Sequence, residues 1–175
     1  DEKDQEGDSP YGGDPQVRRF LARELRGLGP QEGLVRSRWV WILRVRGEAL
    51  LSTGDLQSAL VTYRKALELA PDDPQVWRSL GVAYTRLRDY PSAIAHFRHS
   101  LSLRPGQPHV LVELGYALSQ QGEADSAVST YRQAIDIDPW NAGAYANLGV
   151  ASLRRGAVRA AIDALERAVQ LNPGL

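Results

Sequence analysis

Residues 77–84 read Trp77-Arg-Ser-Leu80-Gly81-Val-Ala-Tyr84, and nine residues further on the pattern continues as Ala93, Phe97, Ser100 and Pro105. The same set recurs in both directions in steps of 34 residues, with no insertion. Upstream it is Leu43, Gly47, Leu50, then Ala59, Tyr63, Ala66 and Pro71. Downstream it is Leu111, Leu114, Gly115, Leu118, then Ala127, Tyr131, Ala134 and Pro139, followed by Tyr145, Leu148, Gly149, then Ala161, Leu165, Ala168 and Pro173. A fixed period of this length is the mark of a stacked array, in which each unit buries its apolar side only against its neighbours. A plain helical bundle with accidental self-similarity is the alternative, and four in-phase recurrences weigh against it.

Each recurring residue has a physical task. Glycine inside a helix costs about 1 kcal/mol relative to alanine, so Gly47, Gly81, Gly115 and Gly149 predict a close approach by a partner helix. Ala59, Ala93, Ala127 and Ala161 serve that approach from the second helix. Tyr63, Phe97, Tyr131 and Leu165 are expected to fill the space between neighbouring repeats. Gly54, Gly122 and Gly156 stand where a first helix should end in a left-handed cap, with Arg88 in that place in the second unit. Asp55 and Asp89 read as N-caps of the helices that follow. The closing prolines stop the second helices.

These motifs resemble the tetratricopeptide repeat (TPR) family, over residues 40–175, as repeats 40–73, 74–107, 108–141 and 142–175. Departures are few: Arg46 stands where the other repeats have leucine, Ser152 where an aromatic residue or leucine is usual, and Ser100 where alanine is usual. The resemblance implies an all-α, right-handed α-solenoid of helix-turn-helix repeats, acting as an adaptor or scaffold for other proteins. It also implies a concave groove lined by first helices, which takes a peptide or helical segment of a partner. Counted by repeat position, that groove falls on Trp41, Arg44, Glu48 and Leu51; Gln75, Arg78, Val82 and Thr85; His109, Val112, Tyr116 and Ser119; and Gly143, Ala146, Val150 and Leu153. Apolar Val82, Val112, Tyr116, Val150 and Leu153 suit an extended or helical segment, and Arg44 and Arg78 suit a carboxylate. The plainer reading of any one of them is a solvated or packing residue. The clamp with which chaperone-binding members hold an acidic C-terminus is essentially absent, since its places carry Arg44, Glu48, Ser79, His109 and Glu113. The asparagine ladder of glycosyltransferase-associated members is reduced to Asn147, with Val45, Ser79 and Glu113 at the equivalent positions.

The ends depart from the repeat. Residues 1–13, rich in Asp, Gly, Gln and Ser, read as a flexible acidic tail or linker. Residues 14–39 read as an N-terminal capping helix and lead-in, with Val17, Phe20, Leu21, Ala22 and Leu25 on one side, ending at Gly27 to Pro30. Their task would be to cover the exposed side of the first repeat. Val35, Trp39 and Trp41 are expected to extend the first repeat helix toward its N-terminus. At the other end Ile162, Leu165, Val169 and Leu171 lack a neighbour. Either more chain follows them, which is the expectation, or they form an assembly edge that meets a partner or another copy, giving a homo-oligomer.

Composition narrows the function classes. In 175 residues, 21 basic side chains balance 21 acidic ones, so no overall field favours nucleic acid or an anionic membrane. The arginines at 18, 19, 23, 26, 36, 38, 44 and 46 form a basic preface, but the adjoining acidic tail argues against nucleic-acid binding. There is no cysteine, which removes disulfides, thiolate catalysis and cysteine metal sites. The absence of methionine indicates a processed or trimmed chain. No apolar run approaches the roughly 20 residues of a membrane helix, so membrane insertion by this segment is not expected. His96 and His99 lie three apart, with no third ligand beside them, and read as surface residues. Asp136 and Asp138 read as solvated helix-end residues. No Ser-His-Asp set, phosphate loop or acid–base pair is visible, so neither an enzyme nor a cofactor is expected. Only Lys3 and Lys65 are lysine, which is compatible with a GC-rich bacterial genome. Many bacterial chains that resemble this one sit in envelope complexes, tethered through an acidic or polar linker, so a periplasmic or lipid-anchored context is expected over the cytoplasm.

Overall fold

The computed structural model describes residues 32–174, and these form eight α-helices and no strand. They are α1 (Glu32–Ser52), α2 (Leu56–Leu69), α3 (Pro74–Arg86), α4 (Tyr90–Leu103), α5 (Pro108–Gln121), α6 (Ala124–Ile137), α7 (Ala142–Arg154) and α8 (Val158–Leu171). The fold is an all-α solenoid of helical repeats. The predicted tail and capping helix lie outside the described residues, up to residue 31. The lead-in does extend the first repeat helix, so the boundary at residue 40 falls inside α1.

The chain divides into two compact units, residues 1–71 and 72–175. In the first, α1 pairs with α2. In the second, α3 with α4, α5 with α6 and α7 with α8 form three helix pairs, joined by contacts of α4 with α5 and of α6 with α7.

The same turn recurs in all four repeats. After α1 the Asp55 amide donates to the Leu50 carbonyl (2.9 Å) and Gly54 to Leu51 (3.2 Å), the double bond of a Schellman cap. Asp89 to Tyr84, Glu123 to Leu118 and Ala157 to Ser152 repeat it at 2.9–3.0 Å. The residue that turns left-handed is Gly54, Gly122 or Gly156, and in the second repeat Arg88 at φ 60°. Starts of helices are less uniform. Asp55, Asp73, Asp89 and Asn141 accept a backbone N–H from the first turn, whereas α5, α6 and α8 begin without a side-chain cap.

The mid-helix glycines sit where an aromatic ring arrives. A Cβ on Gly81 would lie 2.5 Å from Phe97 and one on Gly115 2.6 Å from Tyr131, while one on Gly47 would run into the Tyr63 ring. The large residue therefore seats on the glycine of its own repeat, not simply between repeats. Phe97 and Tyr131 also join the continuous core of the second unit with Val110, Leu114, Leu118 and Val128. Ser100, standing for alanine, is buried because its hydroxyl donates to the Pro74 carbonyl at 2.8 Å.

His96 corrects an expectation. It is only 5% exposed, its ring lying 5.6 Å from that of Trp77 and 4.9 Å from that of Tyr84, with Nδ1–H donating to the Ser92 carbonyl (2.7 Å). His99 is exposed, as expected, and its ring stands 4.0 Å from Trp77. His96 leaves the second helix on its inward side, where Thr62, Thr130 and Ala164 of the other repeats are also buried, and His99, three residues on, does not.

Candidate functional site

In the second unit the first helices α3, α5 and α7 converge on a concavity of about 260 Å³. Val82, Thr85 and Arg86 from α3, Val112, Glu113 and Tyr116 from α5, and Asn147 from α7 line it, with Phe97 below. Val82, Thr85, Val112 and Tyr116 belong to the row counted by repeat position. Tyr116 is 42% exposed, leaving an aromatic face free for contact. Arg86, Glu113 and Asn147 do not belong to the predicted groove row. Glu113 and Asn147 each follow a counted groove residue, Val112 and Ala146, by one, so both of these adjoining positions face the hollow.

Arg78 is engaged inside the chain. Its Nε donates to Glu113 Oε2 at 2.9 Å and its Nη2 to Oε1 at 2.5 Å, a bidentate pair between α3 and α5. Both side chains are about a quarter exposed. The pair holds two neighbouring first helices together and cancels the charge that an acidic ligand would seek. His109 stands near it, exposed at the start of α5. Its imidazole is held below its ordinary value, chiefly by partial burial and next by the Arg78 charge, with Glu113 acting in the opposite sense. The neutral ring is therefore favoured.

The far side of the hollow is braced by Arg154, whose Nη1 donates to the Ser119 carbonyl (2.7 Å) and hydroxyl (2.8 Å). That contact explains why Ser119, counted as groove-facing, is buried. Val150 and Leu153 are exposed on α7 but do not line the hollow. In the first unit, Trp41 is exposed, Arg44 reaches Glu48 one turn along at 4.0 Å, and Leu51 is buried in the core. The α8 face presents Ile162 at 49% and Val169 at 51% exposure, whereas Leu165 is half-buried against Gly149. Among the described residues no group of three His, Asp or Glu side chains is placed to hold a metal ion, and no helix is long and apolar enough to cross a membrane.

Comparison with known proteins agrees with this architecture. A family model described as the cytochrome c-type biogenesis protein H TPR domain matches residues 43–174. A search of curated proteins returns no match. Among solved structures, MamA (residues 41 to the end) from Desulfovibrio magneticus superposes with a TM-score of 0.71 at 22% identity, covering 90% of this chain and 94% of that one. PilF of Pseudomonas aeruginosa gives 0.75 at 24% identity, over 80% of this chain and 64% of its own. The first TPR domain of Spaghetti (RPAP3), solved with the HSP90 peptide SRMEEVD, gives 0.66 at 20% identity, over 69% of this chain and 95% of that one. At these identities the structural likenesses speak for the fold alone.

Proposed function

This chain belongs to the cytochrome c-type biogenesis protein H TPR-domain family, and from that premise we propose that it docks a segment of a partner polypeptide during the assembly of c-type cytochromes, using the hollow formed by α3, α5 and α7. The coarser statement, a protein-interaction module, follows from the TPR solenoid itself. The observation that carries the finer one is the hollow in which Val82, Val112 and Tyr116 outnumber the single guanidinium that lines it, Arg86, while the neighbouring Arg78 is already paired to Glu113. Chemistry of that kind suits a helix with an apolar face and not an acidic C-terminus such as the peptide held by the RPAP3 domain. His109, Val150 and Leu153, on the first helices of the third and fourth repeats, are assigned supporting contacts, and Trp41, Arg44 and Glu48 on α1 are assigned to the first unit by itself.

Titration calorimetry of synthetic amphipathic segments from c-type cytochromes tests the assignment. Val82→Ala with Tyr116→Ala should weaken capture at least tenfold, since each removes buried contact area at a central anchor. Equal affinity in the double variant, with helicity retained, would remove the hollow from consideration. The exposed Ile162 and Val169 favour a second reading, assembly through the α8 face.

A further inference from the structure

The repeat supplies its own internal standard for how one unit seats on the next. At the junction between the third and fourth repeats, Val128 of α6 and Ala151 of α7 share one buried cluster, and Ile135 packs with Ala134 and Ala144 in another. Seven residues forward along α6 is thus seven residues back along α7, the antiparallel register of this junction. Moved by 34 residues, Val128 and Ile135 become Ile162 and Val169 of α8. Moved to the first repeat, Ala144, Leu148 and Ala151 become Ile42, Arg46 and Ala49 of α1. The interior members are buried or half-buried, but Ile42 is 44% exposed, and Arg46 and Ala49 are exposed with it. The α1 and α8 faces therefore each display one half of such a junction, and the two halves complement one another.

The charges differ from the interior in complementary ways. Where the first three repeats have Arg64, Arg98 and Arg132, the fourth has Glu166; where they have Val61, Ala95 and Ser129, it has Asp163. Where the last three repeats have Leu80, Leu114 and Leu148, the first has Arg46. In the junction register Glu166, four residues after Ile162, falls opposite Val45 and Arg46, which precede Ala49 by four and three.

We infer that a second copy of this chain is the occupant of the α8 face, its α1 seating there as the first helix of a following repeat, so that copies stack end to end in one direction. This rests on the assembly reading and is independent of the groove. Such a contact is heterologous, each copy offering a different face on either side, so mass can grow past a dimer as concentration rises. The rim ion pair makes stacking weaker at high salt.

Because the chain has no cysteine, two single-cysteine variants, Ile42→Cys and Val169→Cys, report on the contact directly. Mixed under mild oxidation, they should form a disulfide-linked pair containing one of each, while neither variant links to itself. Sedimentation of the unmodified chain should show species larger than one copy that increase with concentration. Arg46→Glu or Glu166→Arg alone should weaken association several-fold, and the two together in one chain should restore it, since the exchanged charges then meet across the contact with opposite signs once more. Self-linking of Ile42→Cys, or growth in mass without the mixed disulfide, would overturn end-to-end stacking and leave assembly standing. A strictly monomeric chain would overturn both, and protection of the thiol at position 42 in that monomer would assign the α1 face to a segment of the same molecule.

Discussion

Gly81 lies under the rigid Phe97 ring, a contact of glycine with aromatic side chain that the first and third repeats share and the fourth varies. Gly81→Ala gains about 1 kcal/mol of helix propensity but overpacks a buried site, at a cost of about 1–3 kcal/mol. A ring in the core cannot fold away, and a Cβ 2.5 Å from it forces one helix to move. We expect net destabilisation, read as a lower urea midpoint. Gly149→Ala should lose less, since Leu165, unlike a ring, can change rotamer, even though the Ala161 carbonyl at 3.2 Å is also near. Arg88 offers the opposite test. It turns left-handed at φ 60°, where the other repeats have glycine. Arg88→Gly removes the Cβ penalty of that conformation and should stabilise by up to about 1 kcal/mol, raising the melting temperature.

Helices meet across the inner surface through two side-chain bridges, Arg78 to Glu113 and Arg154 to Ser119, each between residues 35 apart. An offset of one period plus one is the natural span between neighbouring first helices, so these bridges pin α3 to α5 and α5 to α7. His109 belongs to the first of them electrostatically. Its folded-state value lies below 6.5, the value for an unperturbed imidazole. Between the two, the unfolded chain binds more protons than the folded one, so stability rises with pH through that window and is lost as the medium is acidified through it. His109→Gln should flatten this slope in urea titrations carried out from about pH 7 to pH 5.

For the chain taken together, stability should follow the number of stacked repeats. Residues 72–175 hold three complete helix pairs with a continuous buried cluster, enough for a stack to support itself. Produced alone, that segment should keep a helical spectrum and unfold cooperatively, while residues 32–71 alone should not, because one helix pair buries too little apolar surface to offset the ordering of its backbone. A non-cooperative transition in residues 72–175 would show that the first repeat is required for the rest.

The helix-turn-helix units, their phase, the left-handed turns at Gly54, Arg88, Gly122 and Gly156, and the caps at Asp55 and Asp89 were all legible in the residues. The reason is that each depends on contacts within one repeat, which a period of 34 spells out four times. Val82, Val112 and Tyr116 share one row by repeat position and line one hollow. What Arg78 does was not legible, since its partner Glu113 comes from the next repeat and nothing local distinguishes a paired guanidinium from a waiting one. Nor was the burial of His96: Trp77 and Tyr84 belong to its own repeat, but it is the packing of α3 on α4 that brings their rings against it. Periodicity states which way a side chain leaves its own helix; only the packing of one helix on another decides what it meets there.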